Sequence, residues 1–199
     1  MTHLERGRCT GDLPITEVKN QAEQSRTLSK GSQLCTQCGL CCSGALHNFA
    51  ILEPEELEFA RELGLTLRDD GQPGFALPCS YLRGCACTTY DNRPKVCGRY
   101  VCQLLDDVSH GNLHIDDALA HVKKARELYR RVEALLPPGM TMPEARLRLK
   151  EPLPSQSAEA RDVELRCRLE LTVLCVYLDK HFKHWKESKF LTMRPVNPA

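Results

Sequence analysis

Apolar side chains recur three and four residues apart along two stretches of the C-terminal half. Leu119, Val122, Ala125, Leu128, Val132 and Leu135 form the first stripe. It predicts an amphipathic helix capped by Asp116 and running to about Leu136, where Pro137, Pro138 and Gly139 end it. The second stripe, Val163, Cys167, Leu171, Leu174, Leu178 and Phe182, predicts a longer helix from about Ala158 to Trp185. Two helices with one apolar face each are expected to pack together. Pro143 opens a short helix between them, reaching Leu149.

The first half has no such period. A short helix is predicted from Pro54 to Leu63, with Glu53, Glu55 and Glu56 near its positive end and Gly64 as its stop. Residues 64–78 carry the turn signals DDG and QPG and are expected to form a hairpin or irregular excursion. Gly84, Asp91, Asn92 and Pro94 interrupt residues 79–102. That block is expected as loops and short strands, with a short helix from near Pro94 carrying Cys97 and Val101. Residues 1–33 are polar and aperiodic and read as a flexible leader, with one short docking element at most.

The expected fold is predominantly α, with an irregular cysteine-rich metal-binding half and few short strands. One domain spans residues 34–187, cysteine-rich over 34–104 and helical over 114–187, before a tail at 188–199. With 42% hydrophobic and 27% charged residues, the chain can fold around a core. Its 27 basic residues against 26 acidic ones provide no general drive toward nucleic acid. No apolar run is long enough for a membrane span, since Leu171–Leu178 is the longest and contains Thr172.

Twelve cysteines change the picture. The opening residues contain no apolar signal segment, so a cytoplasmic address is expected. Clustered thiols there bind metal or do redox chemistry more often than they form disulfides. Cys35, Cys38, Cys41 and Cys42 fall within eight residues, and Gly39 and Gly44 suit a chain turning around a centre. Two intervening residues let neighbouring sulfurs converge on one ion or cluster. Thiolates are soft donors, which selects zinc, iron–sulfur or copper(I) over magnesium and calcium. Adjacent side chains point in different directions, so Cys41 and Cys42 need not share an ion. Cys79, Cys85, Cys87, Cys97 and Cys102 supply further donors. The nine together suffice for two four-coordinate sites with one thiol over, and equally for one site with spectators.

The order CxxCxxCC at 35–42, Pro78-Cys79-Ser-Tyr-Leu, then Cys87-Thr-Thr-Tyr90-Asp-Asn-Arg93-Pro94-Lys-Val-Cys97 resembles the YkgJ-type cysteine-cluster family of zinc- or iron-chelating proteins. The resemblance covers roughly residues 35–102. It implies Cys35, Cys38, Cys41, Cys42, Cys79, Cys87 and Cys97 as ligands, with Cys85 and Cys102 as additional candidates. It names no reaction, and whether the protein is an enzyme stays open.

Other residues have plainer readings. Arg93 could stabilise a thiolate centre or pair with Asp91, and Tyr90 could shield the site or anchor its loop. Cys167 and Cys175 suit core packing on the last helix, and Cys9 a free thiol. His47 is near enough to substitute as a ligand, though a hydrogen-bonded or solvent-facing ring is the stronger reading. His110 and His114 lack partner spacing, and His181 and His184 would bind metal only if other ligands converged there. The segment from Lys180 to Lys186 could touch an acidic partner or RNA, although a solvated helix end is the stronger reading. No GxSxG elbow, Walker loop or HExxH motif is present. The expected function is therefore a metal-binding cysteine-cluster protein holding zinc or an iron–sulfur centre, with zinc narrowly ahead. The alternatives are a redox or metal-delivery protein and a zinc-scaffolded module for a protein partner.

Overall fold

The computed structural model describes residues 30–153 and 157–184. In chain order these form α1 (Lys30–Cys38), β1 (Phe49–Ile51), a 3-10 turn (Pro54–Glu56) leading into α2 (Leu57–Glu62), and β2 (Gly74–Ala76). Then come β3 (Leu82–Arg83), β4 (Ala86–Cys87), a 3-10 turn (Tyr90–Asn92), α3 (Lys95–Arg99) and α4 (Gln103–Ser109). The long helices α5 (Ile115–Glu133) and α7 (Ala158–His181) flank the short α6 (Met142–Arg148). The fold is mostly helical, with four short strands among the described residues. Cys9 and the 188–199 tail lie outside them, as does nearly all of the 1–33 leader.

The two apolar stripes do pack together. Val122, Leu128 and Val132 of α5 lie buried against Leu171, Leu174 and Leu178 of α7. Leu34 from α1, Leu104 from α4 and Met142 from α6 complete this larger core. A smaller core, Leu52, Ala60, Leu65 and Phe75, sits in the cysteine-rich half. Strands β1 and β2 frame it, pairing antiparallel with Ala50 opposite Phe75, and Leu67 bridges to Phe75. The excursion over 64–78 thus closes back on itself through a β-bridge.

Several boundaries differ from the sequence expectation. The N-cap of α5 is His114, whose Nδ1 accepts the Asp116 N–H at 3.4 Å. An imidazole lone pair there does the work expected of the Asp116 carboxylate. Helix α7 ends at His181, about one turn short of Trp185, and Val163 is 51% exposed rather than on the buried face. Val163 lies in the first turns, where α7 extends past its partners. Ala118 is the fully buried residue of the first turn of α5, with Leu119 half-buried against the same core, and Val101 falls beyond α3. Helices α1 and α4 were not anticipated, because their sequences are mostly polar or interrupted by thiols. Helix α6 carries a capping box, Thr141 and Glu144 each satisfying the other's backbone N–H.

Candidate metal centre

Each candidate thiol is placed by a different piece of local structure. Cys35 and Cys38 lie on the last turns of α1, where i and i+3 share a face. Gly39 then reverses the chain with φ +64, and a Cβ there would stand 2.8 Å from the carbonyl oxygen of Cys85. Only glycine allows that approach, which seats the first cysteine block against the second. Cys41 and Cys42 follow in the turn. The Cys79 N–H donates to the Cys42 carbonyl at 2.8 Å, tying the two blocks together again.

Cys87 lies on β4, whose pairing with β3 sets Leu82 opposite it. Gly84 (φ +59) opens the two-residue turn that joins these strands and contains Cys85. Cys97 rides on α3. The start of that helix is held by Glu56, whose buried carboxylate accepts the Lys95 N–H at 2.7 Å. Cys102 is the residue preceding α4.

All nine of these cysteines line one cavity of ≈ 330 Å³. Its other walls are largely apolar, including Leu40, Leu77, Val96, Leu104 and Phe182. Cys85 is buried and Cys35 exposed, with the rest between. The cysteines are free thiols, and among the described residues no three His, Cys, Asp or Glu side chains are closed into a ready ligand shell.

The thiols fall into two groups. Cys38, Cys41 and Cys102 pack against the larger core, whereas Cys79 and Cys97 pack against the smaller. Electrostatics follow this division in their larger contributions, while Cys42 also raises Cys41 and Cys35 also raises Cys42 across it. Burial pushes Cys38 and Cys41 far above the ordinary thiol range, and Cys102 and Cys35 raise both further. Burial also pushes Cys42 up to about 12, helped most by Cys79, Cys97 and Cys87. Cys97 rises to about 11 through burial, then Cys79 and Cys87. One set is Cys35, Cys38, Cys41 and Cys102. The other is Cys42, Cys79, Cys87 and Cys97. Cys41 and Cys42 adjoin where the two sets meet, and they couple to each other directly.

Such buried neutral thiols ionise together only if positive charge compensates them. Arg93 acts in that direction on Cys35 and Cys97, Arg126 on Cys38 and Arg83 on Cys79. Backbone N–H groups of Leu40, of Tyr81 and Leu82, and of Leu104 and Leu105 favour the thiolates of Cys38, Cys79 and Cys102 in turn. The donor chemistry and its surroundings therefore fit a soft metal or a cluster.

Two guanidinium groups brace the turn from the helical side. Arg126 of α5 donates to the Cys38 carbonyl at 2.9 Å, and Arg146 of α6 to the Gly44 carbonyl at 3.1 Å. Arg93 lies over the Tyr90 ring, 3.8 Å from its centroid. The sequence reading missed Arg126, Arg146 and Glu56. Only the last carried any signal, as one of three acids at a helix start.

The histidines lie elsewhere or stay peripheral. His47 lines the cavity and meets Tyr100 edge-on at 4.7 Å. His181 stacks on His121 at 4.2 Å, while His184 bonds to the Val101 carbonyl. His110 contacts Asp106 and His114 caps α5. Cys167 and Cys175 are buried in α7, as expected.

The thiol-walled pocket lies between the larger and the smaller core. Residues 34–118 match the CxxCxxCC family, described as "Putative zinc- or iron-chelating domain", so the resemblance drawn from the cysteine pattern stands. The matched span starts at Leu34 in α1, runs past Cys102 and ends in the first turn of α5. No curated protein and no solved structure matches the chain.

Proposed function

We propose that this chain holds two thiolate-ligated centres, one per four-thiol set, and that these centres are iron–sulfur clusters. The observation that carries this reading is the ≈ 330 Å³ cavity walled by nine thiols and apolar side chains. Two zinc ions, one per set, would leave much of that volume unfilled. At a zinc–sulfur distance of about 2.3 Å each ion's four sulfurs draw to within roughly 4 Å of one another. A cluster brings inorganic sulfide that fills space between the cysteines, and four cysteines are its usual complement. Cys35, Cys38, Cys41 and Cys102 would hold one centre, and Cys42, Cys79, Cys87 and Cys97 the other. Cys85 remains a wall of the cavity. When bound, such a group supplies one-electron transfer.

Zinc is the second reading, favoured by the division of the thiols into fours, which is the coordination number of structural zinc. Both readings require a reducing compartment, and the cytoplasm meets that need. Thiol accessibility separates scaffold from chemistry. Rapid, selective alkylation of a non-ligating thiol with metal retained supports a redox or delivery role, whereas full protection supports a structural centre that presents the helical half to a protein partner.

The test is anaerobic purification followed by iron, zinc and acid-labile sulfide analysis with an absorption spectrum. Iron and sulfide with broad visible absorption are expected. Zinc without sulfide in a colourless sample replaces the cluster reading with the second. Folded protein lacking stoichiometric metal after growth with ample iron and zinc overturns both.

A further inference from the structure

Helix α7 has a second apolar face, opposite the one that packs on α5. Leu165, Leu169, Val173 and Val176 are 47%, 65%, 43% and 40% exposed. At the helical advance of 100° per residue they fall within an arc of about 80°, in a stripe about 16 Å long. Leu171, Leu174 and Leu178, buried in the core, lie on the far side. Single exposed apolar residues are ordinary, but four in register on one helix form a seam.

The charges along this seam say what fits it. Asp162 and Lys180 are both exposed and lie in line with the stripe, one beyond each end. A two-fold axis at residue 171 brings each position i opposite position 342 − i of the second copy. Asp162 then faces Lys180, and Leu169 faces Val173. Both ends gain an opposite-charge pair. Parallel alignment would instead set Asp162 against Asp162 and Lys180 against Lys180. Asp162 now contacts Arg166 at 3.0 Å, but both groups are exposed, and such pairs contribute little.

We propose that α7 is the interface of a two-fold symmetric homodimer, in which two copies pair antiparallel through Leu165, Leu169, Val173 and Val176. The proposal is independent of which metal the cysteine site holds. Four partly exposed side chains per chain make a contact smaller than most specific interfaces, so weak association is expected, with a dissociation constant on the order of 100 micromolar.

Sedimentation equilibrium of the full chain, metal-loaded and under reducing agent, over a hundredfold concentration range tests this. The mass should rise from one chain to two. Leu169→Glu should weaken association about a hundredfold with unchanged far-ultraviolet circular dichroism. Asp162→Lys and Lys180→Asp should each weaken it severalfold, and the double exchange should restore it, a pattern that parallel pairing cannot produce. These charge exchanges carry the test if Leu169→Glu disturbs folding. A single-chain mass throughout overturns the proposal and leaves the seam to another part of this chain or a different protein. So does a dimer that reducing agent abolishes, one that Leu169→Glu leaves intact while folded, or one insensitive to the charge exchanges.

Discussion

The two cores flanking the cysteine cavity are unequal. The larger joins residues from α1, α4, α5, α6 and α7, whereas the smaller rests on Leu52, Ala60, Leu65 and Phe75. A large apolar side chain contributes about 1.5–3 kcal/mol when fully buried, so the smaller core has modest hydrophobic support for the long loops around it. Binding of a structural metal in a small domain is worth about 10–16 kcal/mol. On the proposed reading, packing holds the helical half, and metal binding would hold the half containing Cys79, Cys87 and Cys97. The two sources of stability would then meet at Cys41 and Cys42.

Metal removal should expose this difference most strongly. In anaerobically stripped, reduced protein, amide exchange over residues 49–97 should accelerate by about a thousandfold while α5 and α7 keep their protection. Uniform acceleration would erase the distinction between the halves. Core truncations come next. Phe75→Ala should cost about 3–5 kcal/mol and release metal from the Cys42 set. Leu174→Ala should cost about 2–5 kcal/mol, lowering the melting temperature with metal content unchanged. Equal metal loss from both would break the comparison.

Cysteine substitutions sharpen it further. Cys102→Ser should remove the metal of the larger-core set alone, and Cys79→Ser that of the other, read by metal analysis of folded protein. If either variant loses everything, the sets are not separable. The pH response of the metal-free protein follows from the thiols, whose values burial raises in the fold, Cys42 to about 12 and Cys97 to about 11. The folded chain then holds more protons than the unfolded one, whose thiols titrate near about 8.5. Stability should stay level below that pH and decline as pH rises through 11 and 12, a trend that melting curves would detect. Metal-loaded protein, whose ligands are already thiolates, should not follow it. The smallest effect is that of Thr141→Ala, which removes the α6 cap and should cost about 1 kcal/mol with no change in metal.

The long helices and the convergence of the cysteine blocks were legible in the sequence because each left a local pattern. Stripes at spacings of three and four revealed α5 and α7, and eight residues holding four thiols pointed to the cavity that the cysteines line. Helix α1 was not legible, since its nine residues, KGSQLCTQC, carry little apolar signal and depend on Leu34 reaching the larger core. The smaller core was hidden for a related reason. Leu52, Ala60, Leu65 and Phe75 meet only when β1 and β2 pair across the intervening turns. Cys102 looked like an addition to the family pattern because its place beside Cys38 and Cys41 depends on where α4 docks. Val163 belonged to the predicted face by period alone, yet α7 outruns its partners there.

The adjacency of Cys41 and Cys42 has a consequence for the order of loading. Neighbouring Cα atoms stand about 3.8 Å apart across a trans peptide, so neither residue can be repositioned without carrying the other. Occupying one set immobilises the backbone that presents a donor to the other, and the entropy of ordering that linkage is then lost only once. If both centres form, filling one should tighten the other through this linkage, while each set still binds when the other is disabled.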